Sequence, residues 1–412
     1  MDASREMVIC IAFCAVCQIL ATKCPPPFHL LELTDLYNDP PPEAFMNTPE
    51  LIRHFNYPVE SHDVTTSDGY ILTIFRIPYS NKTADPKVQR EPVLVQHGLV
   101  CSSDNWLLVG EESNLPFLLA DRGFDVWLGN SRGNDYSQRH LWYSMNSTEF
   151  WDFSFHEMGV YDLPAVIDFV LKTTGTKQLS YVGHSMGTTM FFIGMDRHKR
   201  LQEKVRKMVA MAPVAYLSHI KTPMKVMALF PNGIYSALTQ IFSGGRIMFT
   251  PFNNWLKKVA PSFCSGEIPT CFCEDIMFFM TGFDYSQCSH RTSSSVAGHT
   301  PSDGSGKTLE HYFQWVRSDT FREYDYGLLE NWKRYGASEP PIYNLEVNKV
   351  ETLVLYAQND WLVTPEDSTR AFRELGNATS IQIALDAFSH MDFQYAADVK
   401  KEVYDQCIDF LV

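Results

Sequence analysis

The chain lacks an excess of positive charge and, beyond its N-terminus, it lacks a long apolar run. Its 34 lysines and arginines are outnumbered by 48 aspartates and glutamates, which gives a formal net charge of -14 at pH 7. Because nucleic-acid phosphates would be repelled rather than neutralised, no nucleic-acid partner is expected. No stretch after the N-terminal segment is long and apolar enough to cross a bilayer, so we expect no stable transmembrane anchor.

The N-terminus is typical of a secretory signal peptide, assigned to residues 1–21. An apolar run from Met7 to Ala21 is too short to cross a bilayer comfortably, and cleavage is expected near Ala21. An uncleaved anchor is the alternative, because two acidic residues weaken the segment that precedes the run. Residues 22–48 then form an N-terminal segment, and the mature protein is expected in the secretory pathway.

Glycosylation sequons and cysteines fit the same route. The sequons lie at Asn81, Asn146 and Asn377. Three of the ten cysteines fall in the predicted signal, and the odd number left requires a free thiol or an intermolecular bridge. Four others cluster at Cys264, Cys271, Cys273 and Cys288. In an oxidising compartment this cluster predicts disulfides. A zinc site is the alternative, although the CFC spacing lacks the usual CxxC pair.

Short β-rich runs alternate with helical segments along most of the chain. Residues 59–78 alternate in polarity around a Ser-Asp-Gly turn, which predicts a β-hairpin. Further β-rich runs begin at Val93, Phe124, Leu179, Lys207, Thr352 and Ile381. Residues 162–175 have helical spacing, with Pro164 in the first turn and Gly175 past the end. This alternation predicts an α/β fold with a mostly parallel central sheet flanked by helices.

The alternation disappears between residues 216 and 344. This stretch is dense in Phe, Met and Pro, and we interpret it as a mainly helical cap, or lid, inserted into a core made of residues 49–215 and 345–412. The alternative is that it adds to the core, because amphipathic helices alone do not distinguish the two arrangements. His299 and His311 lie within this stretch, where a solvated or packing role is expected.

The sequence YVGHSMGTT places Ser185 two residues from a glycine on either side. The motif follows an apolar run and precedes a candidate helix, which is the strand–turn–helix setting of a nucleophile elbow. Such a turn holds its serine in a strained conformation. Gly183 and Gly187 remove Cβ atoms that would collide with the neighbouring strand and helix. Ser185 is therefore the candidate nucleophile.

A serine nucleophile needs an imidazole that accepts its proton and a carboxylate that orients the imidazole. In chains with this elbow the order is serine, acid, histidine. Asp360 ends the run TLVLYAQND, and His390 stands in FSHMDF after the last β-rich run. Asp386 and Asp392 are the alternative acids, but they flank His390 too closely to reach around its ring. We therefore assign Asp360 and His390.

Acyl transfer also needs two donors aimed at the developing oxyanion. One is expected to be the backbone N–H of Met186, the residue after the nucleophile. The other is the N–H of Leu99, which follows Gly98 in the stretch LVQHGLV. His97 belongs to the same loop, whereas His184 is expected to point away from the nucleophile.

The chain resembles the gastric and lysosomal acid lipase family from about residue 49 to its end. The matching stretches are HGLVCSSDNW, FDVWLGNSRGN, EFWDFSFHEMGVYDLPAVIDF, YVGHSMGTT, the pair Asn359-Asp360 and SHMDF. The resemblance implies an α/β-hydrolase core with a cap domain. It also implies hydrolysis of neutral lipid esters, either triacylglycerols or sterol esters, often at acidic pH.

The resemblance further implies specific site residues. The family's triad falls on Ser185, Asp360 and His390, and its oxyanion donors fall on Leu99 and Met186. Its cap disulfide would join Cys264 to Cys273. The implied partner is a neutral lipid at an interface, and neither a cofactor nor a metal is expected. The implied location is extracellular, as in the gut lumen, or the lysosomal lumen.

Four features depart from the family pattern. Met186 stands where the family usually has Gln, and the acid follows AQN rather than a glycine-rich turn. The stretch HTPSDGSGKT, which begins at His299, is longer and more polar than expected. Cys271 and Cys288 are additional to the family disulfide and are the candidate pair for a second one.

Two other functions compete with a lipase. The first is an esterase or thioesterase that acts on small soluble substrates by the same chemistry. The second is a catalytically silent lipid-binding or storage protein built on the same fold, which would have no chemical need for the complete triad. Acid activity raises a further question, because an imidazole base must be neutral and histidine ordinarily titrates near pH 6.5.

Overall fold

The computed structural model describes residues 39–82, 88–248 and 250–412. The predicted signal peptide, residues 1–21, and most of the N-terminal segment lie outside these residues. Within them, no helix combines the length and the apolar character that a bilayer crossing requires.

The described part of the chain contains a mixed sheet of nine strands. These are β1 Glu60–Thr65, β2 Tyr70–Ile77, β3 Pro92–Gln96, β4 Asp125–Leu128, β5 Arg139–His140, β6 Leu179–His184, β7 Val205–Met211, β8 Glu351–Tyr356 and β9 Ala378–Gln382. The order across the sheet is β1-β2-β4-β3-β6-β7-β8-β9, and β5 pairs with β2. The pairs made by β2 are antiparallel, and all others are parallel. The predicted mostly parallel sheet is confirmed.

The antiparallel edge contains the predicted hairpin. Thr65 of β1 lies opposite Ile71 of β2. In the turn between them Gly69 has a φ of 99°, a conformation that glycine adopts without a steric penalty. The backbone N–H of Thr66 donates to the carbonyl of Tyr70 at 2.8 Å, which closes the turn.

Helices connect the parallel strands and fill the stretch between β7 and β8. The α-helices of four or more residues are α1 Thr48–His54, α2 Leu115–Asp121, α3 Leu163–Thr174, α4 Met186–Arg197, α5 Met224–Met227, α6 Ile234–Ser243, α7 Thr250–Phe263, α8 Glu267–Thr281, α9 His290–His299, α10 Gly306–Ser318, α11 Leu328–Tyr335, α12 Pro365–Glu374, α13 Asp392–Tyr395 and α14 Asp405–Leu411. Helix α3, which the sequence predicts over residues 162–175, ends as expected. Gly175 adopts the left-handed conformation, and its N–H donates to the Leu171 carbonyl.

The sheet separates two hydrophobic cores. Side chains alternate between the faces of a strand, so Leu94 packs into one core while Val93 and Val95 pack into the other. The first core also takes the apolar sides of α3, α4 and α12. The second takes those of α2 and α14. Helices therefore cover both faces, as an α/β fold requires.

The stretch of residues 216–344, called the insertion below, contains α5 to α11. Among its described residues no strand longer than an isolated bridge is present. Cys264 and Cys273 form a disulfide that joins the end of α7 to α8, as the resemblance implies. The proposed second disulfide is wrong, because Cys288 is a free thiol. Burial and the nearby Glu274 carboxylate raise the pKa of the Cys288 thiol, so it stays protonated beside the Asp284 carbonyl.

The last strand, β9, begins earlier in the chain than the sequence predicts. Strand β9 begins at Ala378 and ends at Gln382, whereas the sequence predicts a strand from Ile381 onward. Ile383 still donates to the Tyr356 carbonyl, but the chain then leaves the sheet and packs Phe388 into the second core. Apolar residues after Gln382 thus serve the loop that carries His390 rather than a strand.

Candidate active site

Ser185 lies in a sharp turn between β6 and α4. Its φ of 53° and ψ of -118° fall outside the regions that residues other than glycine normally occupy. The strain is maintained by the neighbouring strand, since the Ser185 N–H donates to the Met211 carbonyl at 3.0 Å. This conformation is the one predicted for a nucleophile elbow.

The two glycines of the motif are required by close backbone contacts. A Cβ at Gly187 would lie 2.7 Å from the Gln96 carbonyl oxygen of the adjacent strand. A Cβ at Gly183 would lie 2.9 Å from the Gly187 carbonyl carbon at the start of α4. Both contacts are with backbone atoms, which cannot swing away as a side chain could. The predicted roles of these glycines are confirmed by the spacing.

Ser185, His390 and Asp360 form one continuous chain of hydrogen bonds. His390 Nε2 lies 3.0 Å from the Ser185 Oγ, and His390 Nδ1 lies 2.7 Å from an oxygen of Asp360. The imidazole and the carboxylate are both buried. The structure therefore brings together the three side chains that the sequence assigned, although their positions in the chain are up to 205 residues apart.

The loop geometry explains why Asp360 rather than a nearer carboxylate meets the imidazole. The second oxygen of Asp360 accepts the N–H groups of Leu362 and Val363, at 2.9 and 2.7 Å, and these bonds fix the carboxylate. Asp392 instead accepts the N–H of Ser389 at 2.6 Å. Asp386 is exposed on the surface. Neither alternative acid is bonded to the His390 ring.

His184 has a positioning contact that the sequence did not predict. Its Nε2 lies 3.1 Å from the His390 carbonyl, and the two rings are 4.9 Å apart. Burial, reinforced by the nearby His390, lowers the pKa of His184 well below its ordinary value. A neutral His184 can therefore donate to that carbonyl and hold the histidine loop against the elbow. The sequence does not predict this contact, because His184 ends β6 and His390 lies in a loop 206 residues later.

The expected oxyanion donors lie beside Ser185. Met186 is the first residue of α4, and a backbone N–H at that position has no acceptor within its own helix. Leu99 lines the same cavity as Ser185. The Met186 side chain packs into the hydrophobic core, so only its backbone is available to a substrate. Replacement of a polar residue by Met at this position therefore does not affect the N–H donor.

His97 fixes the peptide group that contains the Leu99 N–H. Its Nε2 accepts the Ser131 N–H at 3.1 Å, so its Nδ1 carries the proton and donates to the Gly98 carbonyl at 2.7 Å. The Gly98 carbonyl and the Leu99 N–H belong to one planar peptide group, and fixing one orients the other. Burial lowers the pKa of His97 to about 4, which keeps this arrangement in mild acid.

A cavity of about 300 Å³ opens beside Ser185 and His390. Its walls are mainly apolar and come from both the core and the insertion. The core contributes Val214, Leu362 and Val363, and the insertion contributes Leu217, Ile276 and Tyr312. Such a cavity matches a hydrocarbon chain rather than a charged or strongly polar group. Among the described residues, no cluster of three or more ligating side chains suits a metal ion.

Comparison with known proteins identifies the family. Residues 48–110 match the family model of a partial alpha/beta-hydrolase lipase region, and residues 91–241 match that of the alpha/beta hydrolase fold. Gastric triacylglycerol lipase of Bos taurus is 39% identical over 371 residues, which cover 90% of this chain and 92% of that protein. The chain belongs to the gastric triacylglycerol lipase family.

Other gastric lipase relatives extend over as much of the chain. Lipase member K of Homo sapiens is 34% identical and covers 95% of this chain and 97% of its own length. Lipase lipl-1 of Caenorhabditis elegans is 36% identical, with 91% and 93% covered. The family resemblance read from the sequence motifs is confirmed, and so is the α/β-hydrolase fold.

A stretch expected to depart from the gastric lipase pattern contacts the oxyanion loop, defined here as residues 98–105. The polar stretch that begins at His299 runs along this loop, and the Ser302 N–H donates to the Val100 carbonyl at 2.7 Å. Val100 itself has a φ of 51°, which a β-branched residue rarely adopts. The insertion thus holds the oxyanion loop in a strained conformation.

Proposed function

We propose that the protein hydrolyses neutral lipid esters, with Ser185 as the nucleophile. The observation that carries the proposal is the hydrogen-bonded series Ser185–His390–Asp360 at the edge of an apolar cavity. The gastric lipase relatives are named for action on triacylglycerols, which supports a triacylglycerol, with a sterol ester as the other candidate substrate.

The geometry supports a two-step acyl transfer. Ser185 Oγ attacks the ester carbonyl while its proton passes to His390 Nε2, and Asp360 stabilises the imidazolium. The N–H groups of Leu99 and Met186 donate to the negatively charged carbonyl oxygen. The intermediate then expels the alcohol, which takes the proton from His390, and leaves an acyl group on Ser185. Water, deprotonated by His390, attacks this ester; the Ser185 oxygen then leaves and takes that proton from His390, and the fatty acid is released.

The insertion, as a cap, supports a substrate presented at a lipid surface. Its outer side exposes large apolar side chains on α6, α7 and the segment before α6. They are Leu229, Phe230, Ile241, Phe242 and Trp255, each at least 56% exposed. Several large exposed apolar side chains within one stretch of the chain are what a contact with lipid or protein requires. In our proposal the cap covers the cavity in water and shifts when it meets lipid.

Acidic, lumenal surroundings are part of the proposal. The three sequon asparagines, Asn81, Asn146 and Asn377, are exposed, as glycosylation requires. Their exposure supports passage through the secretory pathway to a lysosomal or an extracellular lumen, and the acidic pH follows from the family resemblance.

Hydrolysis of triolein, cholesteryl oleate and a short-chain soluble ester, compared across pH, tests the proposal. We expect the purified protein to prefer a long-chain emulsified ester in acid, and Ser185→Ala to abolish that activity. Ser61→Ala, which removes an exposed hydroxyl from β1, is the matched control for handling and folding. Preference for the soluble ester with no response to emulsion would favour the esterase function. No hydrolysis of any ester would favour a silent lipid-binding protein.

A further inference from the structure

His299, at the end of α9, contacts the oxyanion loop through a buried pair of groups. Its Nδ1 lies 3.2 Å from a carboxylate oxygen of Asp104. Its Nε2 lies 2.9 Å from the Glu43 carbonyl. A carboxylate and a carbonyl oxygen only accept hydrogen bonds, so both ring nitrogens must carry protons to satisfy them. The geometry is that of an imidazolium.

Asp104 is surrounded by donors that favour its ionised form. Its carboxylate accepts hydrogen bonds from the hydroxyls of Thr48, Ser102 and Tyr136, the last at 2.6 Å. Asp104 is 6% exposed, so the charge it carries is shielded from water and interacts strongly with its neighbours. With His299 as the fourth, these partners of Asp104 come from α1, the oxyanion loop, the segment after β4 and the insertion.

The same stretch of the insertion binds the loop at two further points. Asn105 donates its side-chain amide to the Thr300 hydroxyl at 2.8 Å. Ser302 donates its backbone N–H to the carbonyl of Val100, whose conformation is strained. Residues 299–302 therefore fix the loop at its beginning and at its end, and the Leu99 N–H lies directly before the strained residue.

We propose that the His299–Asp104 ion pair holds the oxyanion loop in place only while His299 is protonated. His299 is then a positioning residue which favours turnover in acid. The inference rests on the proposed function, because it assigns the Leu99 N–H to the oxyanion. When His299 loses its proton, Asp104 keeps a buried charge without a cationic partner, and the strained loop loses one of its attachments. The Leu99 donor then moves away from the reacting carbonyl.

The other charged groups around the pair do not reverse the rise in the pKa of His299. Burial alone would lower the pKa of His299, but the charge of Asp104 and its hydrogen bond raise it above 6.5. Lys257 opposes that rise, yet its ammonium is paired with Asp135. Burial would raise the pKa of Asp104, but His299 lowers it below 3.8. The ion pair is therefore complete in mild acid and is lost as the pH rises through the pKa of His299.

Remaining titratable neighbours are neutral or paired. The Glu43 carboxylate forms an ion pair with Arg291 and lies 3.7 Å from His54. Tyr136, Tyr395 and Cys101 stay protonated, because burial raises the pKa of each. His97, which also interacts with the charge of Asp104, stays neutral because burial lowers its pKa.

The test compares kcat and KM of the full chain on p-nitrophenyl butyrate between about pH 5 and about pH 8. The variants are Asp104→Asn, His299→Gln and the double variant, which leaves no unpaired buried charge. His62→Gln is the matched control, because it removes a His–carboxylate pair, with Glu60 at 3.0 Å, from the edge strand far from the site.

We expect the wild-type kcat to fall at higher pH with KM little changed. In the variants kcat at about pH 5 should drop about tenfold, less than the 10²–10³-fold that follows loss of an oxyanion donor outright, and its pH dependence should flatten. The control should keep the wild-type profile. If neither single variant folds, the double variant decides the question.

The proposal is overturned if the Asp104→Asn or the double variant keeps the wild-type ratio of acid to alkaline kcat. It is also overturned if the wild-type loss at higher pH falls on KM alone, a result that needs no variant. A wild type without ester hydrolysis at any pH would instead overturn the proposed function.

Discussion

Asp392, two residues after His390, contributes more to the stability of the folded protein in acid than at neutral pH. The carboxyl is 4% exposed, and burial raises its pKa from 3.8 to about 7. A carboxyl with a raised pKa holds its proton in the folded state at a pH where the unfolded chain has lost it. Because each pKa unit corresponds to about 1.4 kcal/mol, the contribution of Asp392 to the free energy of unfolding should fall by up to about 4 kcal/mol between about pH 4 and about pH 7.

Asp392→Asn removes this titration while keeping an oxygen that accepts the Ser389 N–H. We expect the variant and the wild type to have similar free energies of unfolding near pH 4, and the variant to be more stable near pH 7. Denaturant unfolding of both proteins at the two pH values measures the difference. Asp386→Asn, which changes an exposed carboxylate of the same loop, is the control. A difference between variant and wild type that does not change with pH would refute the reasoning.

Four further predictions follow from the site and the cap. Asp360→Asn should lower kcat about 10⁴-fold, since the His390 imidazole loses its orienting acceptor. A loss below tenfold in steady-state kinetics would contradict the assignment of Asp360 as the acid. His97→Ala should free the peptide group of the Leu99 N–H and lower kcat about 10- to 100-fold at unchanged KM, and an effect on KM alone would argue against it. Gly187→Ala should destabilise the fold by about 3 kcal/mol or more, measured by denaturant unfolding, and wild-type stability would refute the 2.7 Å contact. Cys273→Ser should lower the free energy of unfolding by roughly 2–3 kcal/mol, because the disulfide closes a loop with a sequence separation of 9. An unchanged melting curve would contradict this.

Much of the site could be predicted because its chemistry imposes order on the chain. The glycine spacing around Ser185 follows from backbone contacts, which any chain with this turn must accommodate. The acid and the histidine had to come after the serine and at strand ends, so Asp360 and His390 could be chosen among several candidates. Their family motifs then agreed with that choice.

The contacts that position these groups could not be predicted from the sequence. His184 meets the His390 carbonyl, and His299 meets Asp104, across separations of 206 and 195 residues. Neither pair forms a motif, because any two elements that pack together can create such a contact. The expected solvated or packing role of His299 is right in that the side chain is buried, but the sequence does not predict the partners of its two ring nitrogens.

Labelling with a fluorophosphonate probe, followed by mass spectrometry of the modified peptide, tests the central claim most directly. The account predicts that the wild type is labelled on Ser185, that Ser185→Ala is not labelled, and that Asp360→Asn reacts far more slowly. Label on another residue, or unchanged labelling of Ser185→Ala, would contradict it.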